Sequence, residues 1–168
     1  PSSLLNDAFV HTHSARLESI DANKSFVVVL PLEPVIPITK DLLASILSSR
    51  AECVWTKASF NNELGAPITL LECDAETKYC ILEMGARHQG DIAALCEMAK
   101  PNVGVVLRVG TAHLGEFGSV EKIAETKSEM IQGLGPDAVA VLGTYDPHTK
   151  AMNSLHKGKV IYFGQDSR

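Results

Sequence analysis

Apolar positions along this chain fall into short runs separated by helical patterns. Residues 79–82 form one strand-sized run, which ends at Glu83 and is broken by Gly85 and Gly90. Residues 103–107 form a second, ending near Gly110 and His113. Between them, Ile92, Leu95, Cys96 and Ala99 recur at helical spacing; Gly90 and Asp91 open that helix and Pro101 ends it. Beyond them, Val120, Ile123, Ala124, Lys127, Ile131 and Leu134 predict a helix opened by Gly118 and Ser119 and closed by Gly133 and Gly135. Upstream, Ser25–Leu30 is a strand candidate, and Pro31, Pro34 and Pro37 punctuate a loop that holds a short strand at 35–38. Thr39 is expected to cap a helix from Lys40 to about Arg50. A strand at 51–55, a turn at 60–65 and a helix from Pro67 to about Leu71 follow. The remaining chain predicts a strand at 138–142, a short helix near Met152 and a last strand at Lys159–Phe163. Short apolar runs alternating with helices predict an α/β fold, with a mostly parallel sheet flanked by helices.

Ligands of open α/β sheets sit at the carboxyl ends of the strands. Glu83 and His113 both fall there, so two polar side chains can converge on one point. Lys127 is a third candidate, because it lies within the apolar stripe of its helix. An inward lysine is costly unless paired or altered; alternatively its stem covers apolar surface while its ammonium reaches water. Other polar residues have bland readings beside their functional ones. His11 and His13 form an H-x-H pair without further ligands, more typical of a solvated surface than of a metal site. Arg87 can pair with Glu83 or with phosphate, and His88 and Glu116 are loop residues that can approach ligand or face solvent. Ser119 is expected to cap its helix, and His148 and His156 to lie on the surface.

Composition narrows the classes. The chain has 168 residues, enough for one domain with a real core. A net charge of −5 and the lack of a Lys/Arg run give nucleic-acid binding no support. The longest apolar stretch, 26–32, is strand-sized and far too short to span a membrane. Cys53, Cys73, Cys80 and Cys96 form no C-x-x-C pair and each sits in an apolar segment. They predict reduced core thiols and a cytoplasmic setting.

Three stretches carry a family resemblance: Asn61-Asn62-Glu63-Leu64-Gly65-Ala66-Pro67, Glu83-Met84-Gly85-Ala86-Arg87, and Gly110-Thr111-Ala112-His113-Leu114-Gly115-Glu116. In order and spacing they resemble the Mur ligases, from about Val35 to Gly164. The resemblance implies a central ATPase-like domain at 35–168, with 1–34 as the remnant of an amino-terminal substrate domain or linker. The carboxy-terminal domain that closes over ATP is expected to be absent. It further implies a monomeric ligase that uses ATP and Mg2+ to phosphorylate a carboxylate, which an amine then attacks. The wording is nearest to members that join D-alanyl-D-alanine to a UDP-linked muramoyl tripeptide. A related ligase that adds another amino acid, or a folate-type glutamate, is the more distant reading.

By the same resemblance, Glu83 and His113 are magnesium ligands, and Lys127 is the lysine that carbon dioxide carbamylates to an anion. Asn62, Thr39 and Lys40 lie near the nucleotide. The family's phosphate loop, G-x-x-G-K-[ST], is missing: the segment expected as a strand, 35–38, runs straight into Thr39 and Lys40. Without that loop's N–H groups the triphosphate loses its main cradle. Arg108, Gly143 and Tyr145 also stand where the family usually has asparagine, asparagine and aspartate. The competing expectation is therefore a catalytically silent Mur-ligase-like domain that keeps the sheet as a binding or structural module.

Overall fold

The computed structural model describes residues 25–30, 38–58, 60–111 and 114–164. Six strands form one parallel sheet: β1 (Ser25–Leu30), β2 (Cys53–Trp55), β3 (Tyr79–Glu83), β4 (Val103–Val106), β5 (Val139–Gly143) and β6 (Lys159–Phe163). Their spatial order is β2-β3-β1-β4-β5-β6. The helices are α1 (Ile38–Ser48), α2 (Gly65–Leu71), α3 (Asp91–Ala99), α4 (Leu114–Phe117), α5 (Val120–Gln132) and α6 (Pro147–Ala151), the last running into a 3-10 turn at Met152–Leu155.

Both faces of the sheet are apolar, as covered parallel sheets require. Cys80, Leu82, Val106, Ala140 and Leu142 point to one face, where Leu70, Ile92, Leu95, Ile123, Met130 and Ile131 of α2, α3 and α5 close over them. Ile81, Val105 and Leu107 point to the other, against Ala44, Leu43 and Leu47 of α1. Thus α1 and α3, which follow the adjacent strands β1 and β3, lie on opposite faces. In open α/β sheets, such a divergence marks the carboxyl ends of the two strands, here β1 and β3, as the place where ligands bind.

Helix boundaries follow local chemistry. Ser119 caps α5 by accepting the Lys122 N–H at 3.3 Å. Asp91 opens α3, and its carboxylate also accepts the N–H groups of Arg87 and His88. Lys100, in a left-handed conformation, ends α3 before Pro101.

Several expectations need correction. Thr39 does not cap α1 but lies inside its first turn, because the helix starts at Ile38. Of the short strand expected at 35–38, Ile38 is helical and 35–37 lie outside the described residues. The strand that precedes α1 is β1, which pairs with β3 from Ser25↔Tyr79 to Val29↔Glu83 and with β4 from Val27↔Val103 to Leu30↔Val106. The sheet therefore begins upstream of the boundary expected at Val35. His156 is buried rather than on the surface, with Nε2 2.9 Å from the Ala138 carbonyl oxygen. Residues 1–24, including His11 and His13, lie outside the described residues.

Candidate active site at the end of strand β3

Glu83 is the last residue of β3 and is only 8% exposed. Its backbone is fixed by Thr56, whose fully buried hydroxyl accepts the Glu83 N–H at 3.1 Å. Its carboxylate is held by Asn61, which donates from Nδ2 to Oε1 at 2.9 Å. Asn61 is positioned in turn by its carbonyl, which accepts the Gly85 N–H at 2.7 Å. A Cβ on Gly85 would stand 3.0 Å from the Asn61 side chain, so this glycine lets the two loops close together.

The other carboxylate oxygen faces Lys40. The Lys40 ammonium lies 3.7 Å from Glu83 Oε2 and 3.6 Å from Asp41 Oδ1, and it donates to the Ala58 carbonyl at 3.2 Å. Lys40 is 2% exposed, so the partner beside Glu83 is a buried lysine of α1 and not Arg87, whose side chain is exposed. The structure thus joins two residues that the sequence placed on separate motifs, Lys40 and Glu83.

Asn62 serves α2. Its Oδ1 accepts the N–H groups of Leu64 at 3.2 Å and Gly65 at 2.9 Å, satisfying donors at the helix start. Thr39 is half-buried in the first turn of α1. Lys127 is half-buried on α5 and donates from Nζ to the Arg108 carbonyl at 2.9 Å, which ties α5 to the loop after β4. The same loop is held by Asp146, whose carboxylate accepts the Val109 N–H at 3.0 Å while capping α6 through Thr149. His113 lies outside the described residues.

Thr56 and Asn61 are the site residues that the sequence missed. Asn61 stands beside Asn62 in a motif already singled out, yet its neighbour reads equally well as a ligand contact. Thr56 carries no sequence signal, because its bond reaches across to another strand.

Magnesium fits this site in kind. It favours hard oxygen donors, and commonly takes one or two carboxylates with waters and phosphate oxygens completing its shell. Glu83 supplies one buried carboxylate, and among the described residues no cluster of three or more His, Cys, Asp or Glu side chains forms a closed metal cage. The seven residues 31–37 that join β1 to α1 read Pro-Leu-Glu-Pro-Val-Ile-Pro. They contain no glycine, lysine or hydroxyl, and their prolines have no N–H to offer a phosphate.

The family model for the Mur ligase middle domain matches residues 39–168. UDP-N-acetylmuramoyl-tripeptide–D-alanyl-D-alanine ligase of Mycobacterium bovis is 51% identical over 129 residues, which are 77% of this chain and 25% of that protein. The crystal structure of MurF from Acinetobacter baumannii superposes with a TM-score of 0.88 at 33% identity, over 96% of this chain and 35% of its own. MurF ligase from Thermotoga maritima, in complex with ADP, gives a TM-score of 0.80 at 32% identity, over 96% of this chain and 37% of its own.

Proposed function

This chain belongs to the Mur ligase family, and we propose that it is the ATP-using middle domain of a ligase that joins D-alanyl-D-alanine to a UDP-linked muramoyl tripeptide. The observation that carries this reading is the buried Glu83 carboxylate, held by Asn61 and Thr56 at the carboxyl end of β3. The chain spans 25% of the length of the Mycobacterium bovis relative, so the tripeptide and dipeptide sites are assigned to the whole enzyme.

In this proposal Glu83 and His113 hold Mg2+, and the nucleotide lies against the starts of α1 and α2, near Thr39, Lys40 and Asn62. A bound magnesium ion neutralises phosphate charge during transfer to the substrate carboxylate. Lys127, carbamylated, places an anion beside the loop after β4 and so complements that positive charge. The Lys127–Arg108 bond holds the ammonium form against the same loop, and Asp146 fixes the loop's backbone at Val109. The enzyme would work in the cytoplasm on soluble precursors of the cell wall.

The sequence of 31–37 favours a second reading: a silent domain that keeps the sheet but has no phosphate cradle. Calorimetric titration of the purified chain with ATP, with and without Mg2+, separates the two. The ligase reading expects magnesium-dependent binding that weakens about tenfold or more in Glu83→Gln, as for loss of a charged contact. No binding by the folded chain would overturn it in favour of the silent domain.

A further inference from the structure

A buried ammonium needs compensation, and Lys40 has it from three oxygens. The Ala58 carbonyl lies at 3.2 Å, Asp41 Oδ1 at 3.6 Å and Glu83 Oε2 at 3.7 Å. Ala58 adopts φ +45°, the left-handed region that costs an alanine free energy. The carbonyl that accepts from Lys40 belongs to this strained residue, so the chain holds an unfavourable backbone where it helps cage the ammonium. Glu83 is equally committed: Oε1 takes the Asn61 amide and Oε2 faces Lys40. Both oxygens of the carboxylate therefore have partners within the protein.

We propose that Lys40 is a built-in counter-ion that competes with divalent cations for Glu83 and so sets what the site accepts. The proposal rests on the reading of Glu83 as a metal ligand. A bare divalent ion arriving at Glu83 Oε2 meets a fixed positive charge a few ångströms away, in a buried setting where water screens little. A divalent ion that arrives with a polyphosphate brings negative charge of its own, which offsets both cations. Lys40 thereby makes the site poor for free metal and suited to metal already bound to an anion. It is a specificity-determining residue acting through Glu83.

Binding of Mn2+ alone, counted from the electron paramagnetic resonance signal of the free ion, tests this on the purified chain. Lys40→Met removes the charge; Lys40→Gln removes it while keeping a donor for the Ala58 carbonyl. Removing a like charge at this range is expected to tighten Mn2+ binding by about tenfold or more. Glu83→Gln placed on Lys40→Met should erase the gain, and this neutral pair also controls for the fold. The proposal is overturned if both Lys40 variants, folded by circular dichroism, bind Mn2+ no more tightly than the parent. If Glu83→Gln alone still weakens Mn2+ in that case, the metal-ligand reading of Glu83 survives without the counter-ion. If Glu83→Gln changes nothing in any background, both ideas fall.

Discussion

Thr56 carries more of the site than its size suggests. It has no exposed surface, accepts the Glu83 N–H, and lies 3.5 Å through Oγ1 from the Ile81 carbonyl. Thr56→Val keeps the shape but leaves a buried N–H without its partner, at a cost of about 1–3 kcal/mol. Urea denaturation should report that loss, and a change within error would remove Thr56 from the site's support. Gly143 makes the opposite point. A Cβ there would collide with the Leu107 carbonyl oxygen, which is backbone and cannot swing away. Gly143→Asn is therefore expected to cost about 1–3 kcal/mol through overpacking, read as a lower melting temperature. The same residues mark how far the sequence could be read. Glu83 was visible because a polar residue ending an apolar run is conspicuous. Thr56 and Asn61 were not, because their bonds join positions 27 and 22 residues apart, and only the folded sheet brings those together. His156 looked like a surface group because nothing local revealed that the Ala138 carbonyl would meet it.

At the scale of helices, α3 and α5 are locked together by contacts that titrate. Cys96 of α3 lies 3.7 Å through Sγ from Met130 Sδ of α5. Burial, and secondarily the Glu129 carboxylate, push its thiol up to about 12 from an ordinary value of 9.0. Cys80 moves in the same direction, through its hydrogen bond with Cys73 and then burial. In the unfolded chain these thiols ionise near pH 9, while the folded chain keeps their protons. The Cys96 contribution is thus complete below about pH 9 and is lost as pH rises towards 12. Urea midpoints should fall over that alkaline range, and Cys96→Ala should show a shallower fall than the parent. An equal slope would mean that Cys96 ionises as freely folded as unfolded. The amino end of α3 is satisfied from outside, since Glu129 accepts the N–H groups of Gly90 and Ala93 at 2.7 and 3.1 Å. The Ser119 cap of α5 is a separate local term. Ser119→Ala should cost about 1 kcal/mol, measured by thermal or chemical unfolding. Helical periodicity predicted both helices well, because their apolar stripes are continuous. The start of α1 was misplaced, because a threonine just ahead of an apolar helical pattern resembles a cap while the helix already begins at Ile38.

Across the whole molecule, stability should grade outward from the centre of the sheet. β1 is flanked on both sides, by β3 and β4, whereas among the described residues β2 and β6 each pair on one side only. Native-state hydrogen exchange should therefore find the slowest amides in β1, β3 and β4 and the fastest strand amides in β2 and β6. Uniform protection across all six strands would contradict that gradient. Parallel order was legible from strands alternating with helices, but the sequence could not place Ser25–Leu30 at the centre. Chain order and spatial order disagree there: β1 is the first described strand, yet it stands between the third and the fourth. That arrangement bears on how the protein is born. When β1 leaves the ribosome neither of its neighbours is available, and its second flank stays bare until Val106 has emerged. Until then the nascent chain carries an open, apolar strand edge, the form most apt to capture another chain. A translational pause before β4 has emerged would prolong that exposure, whereas a later one would find both flanks already supplied.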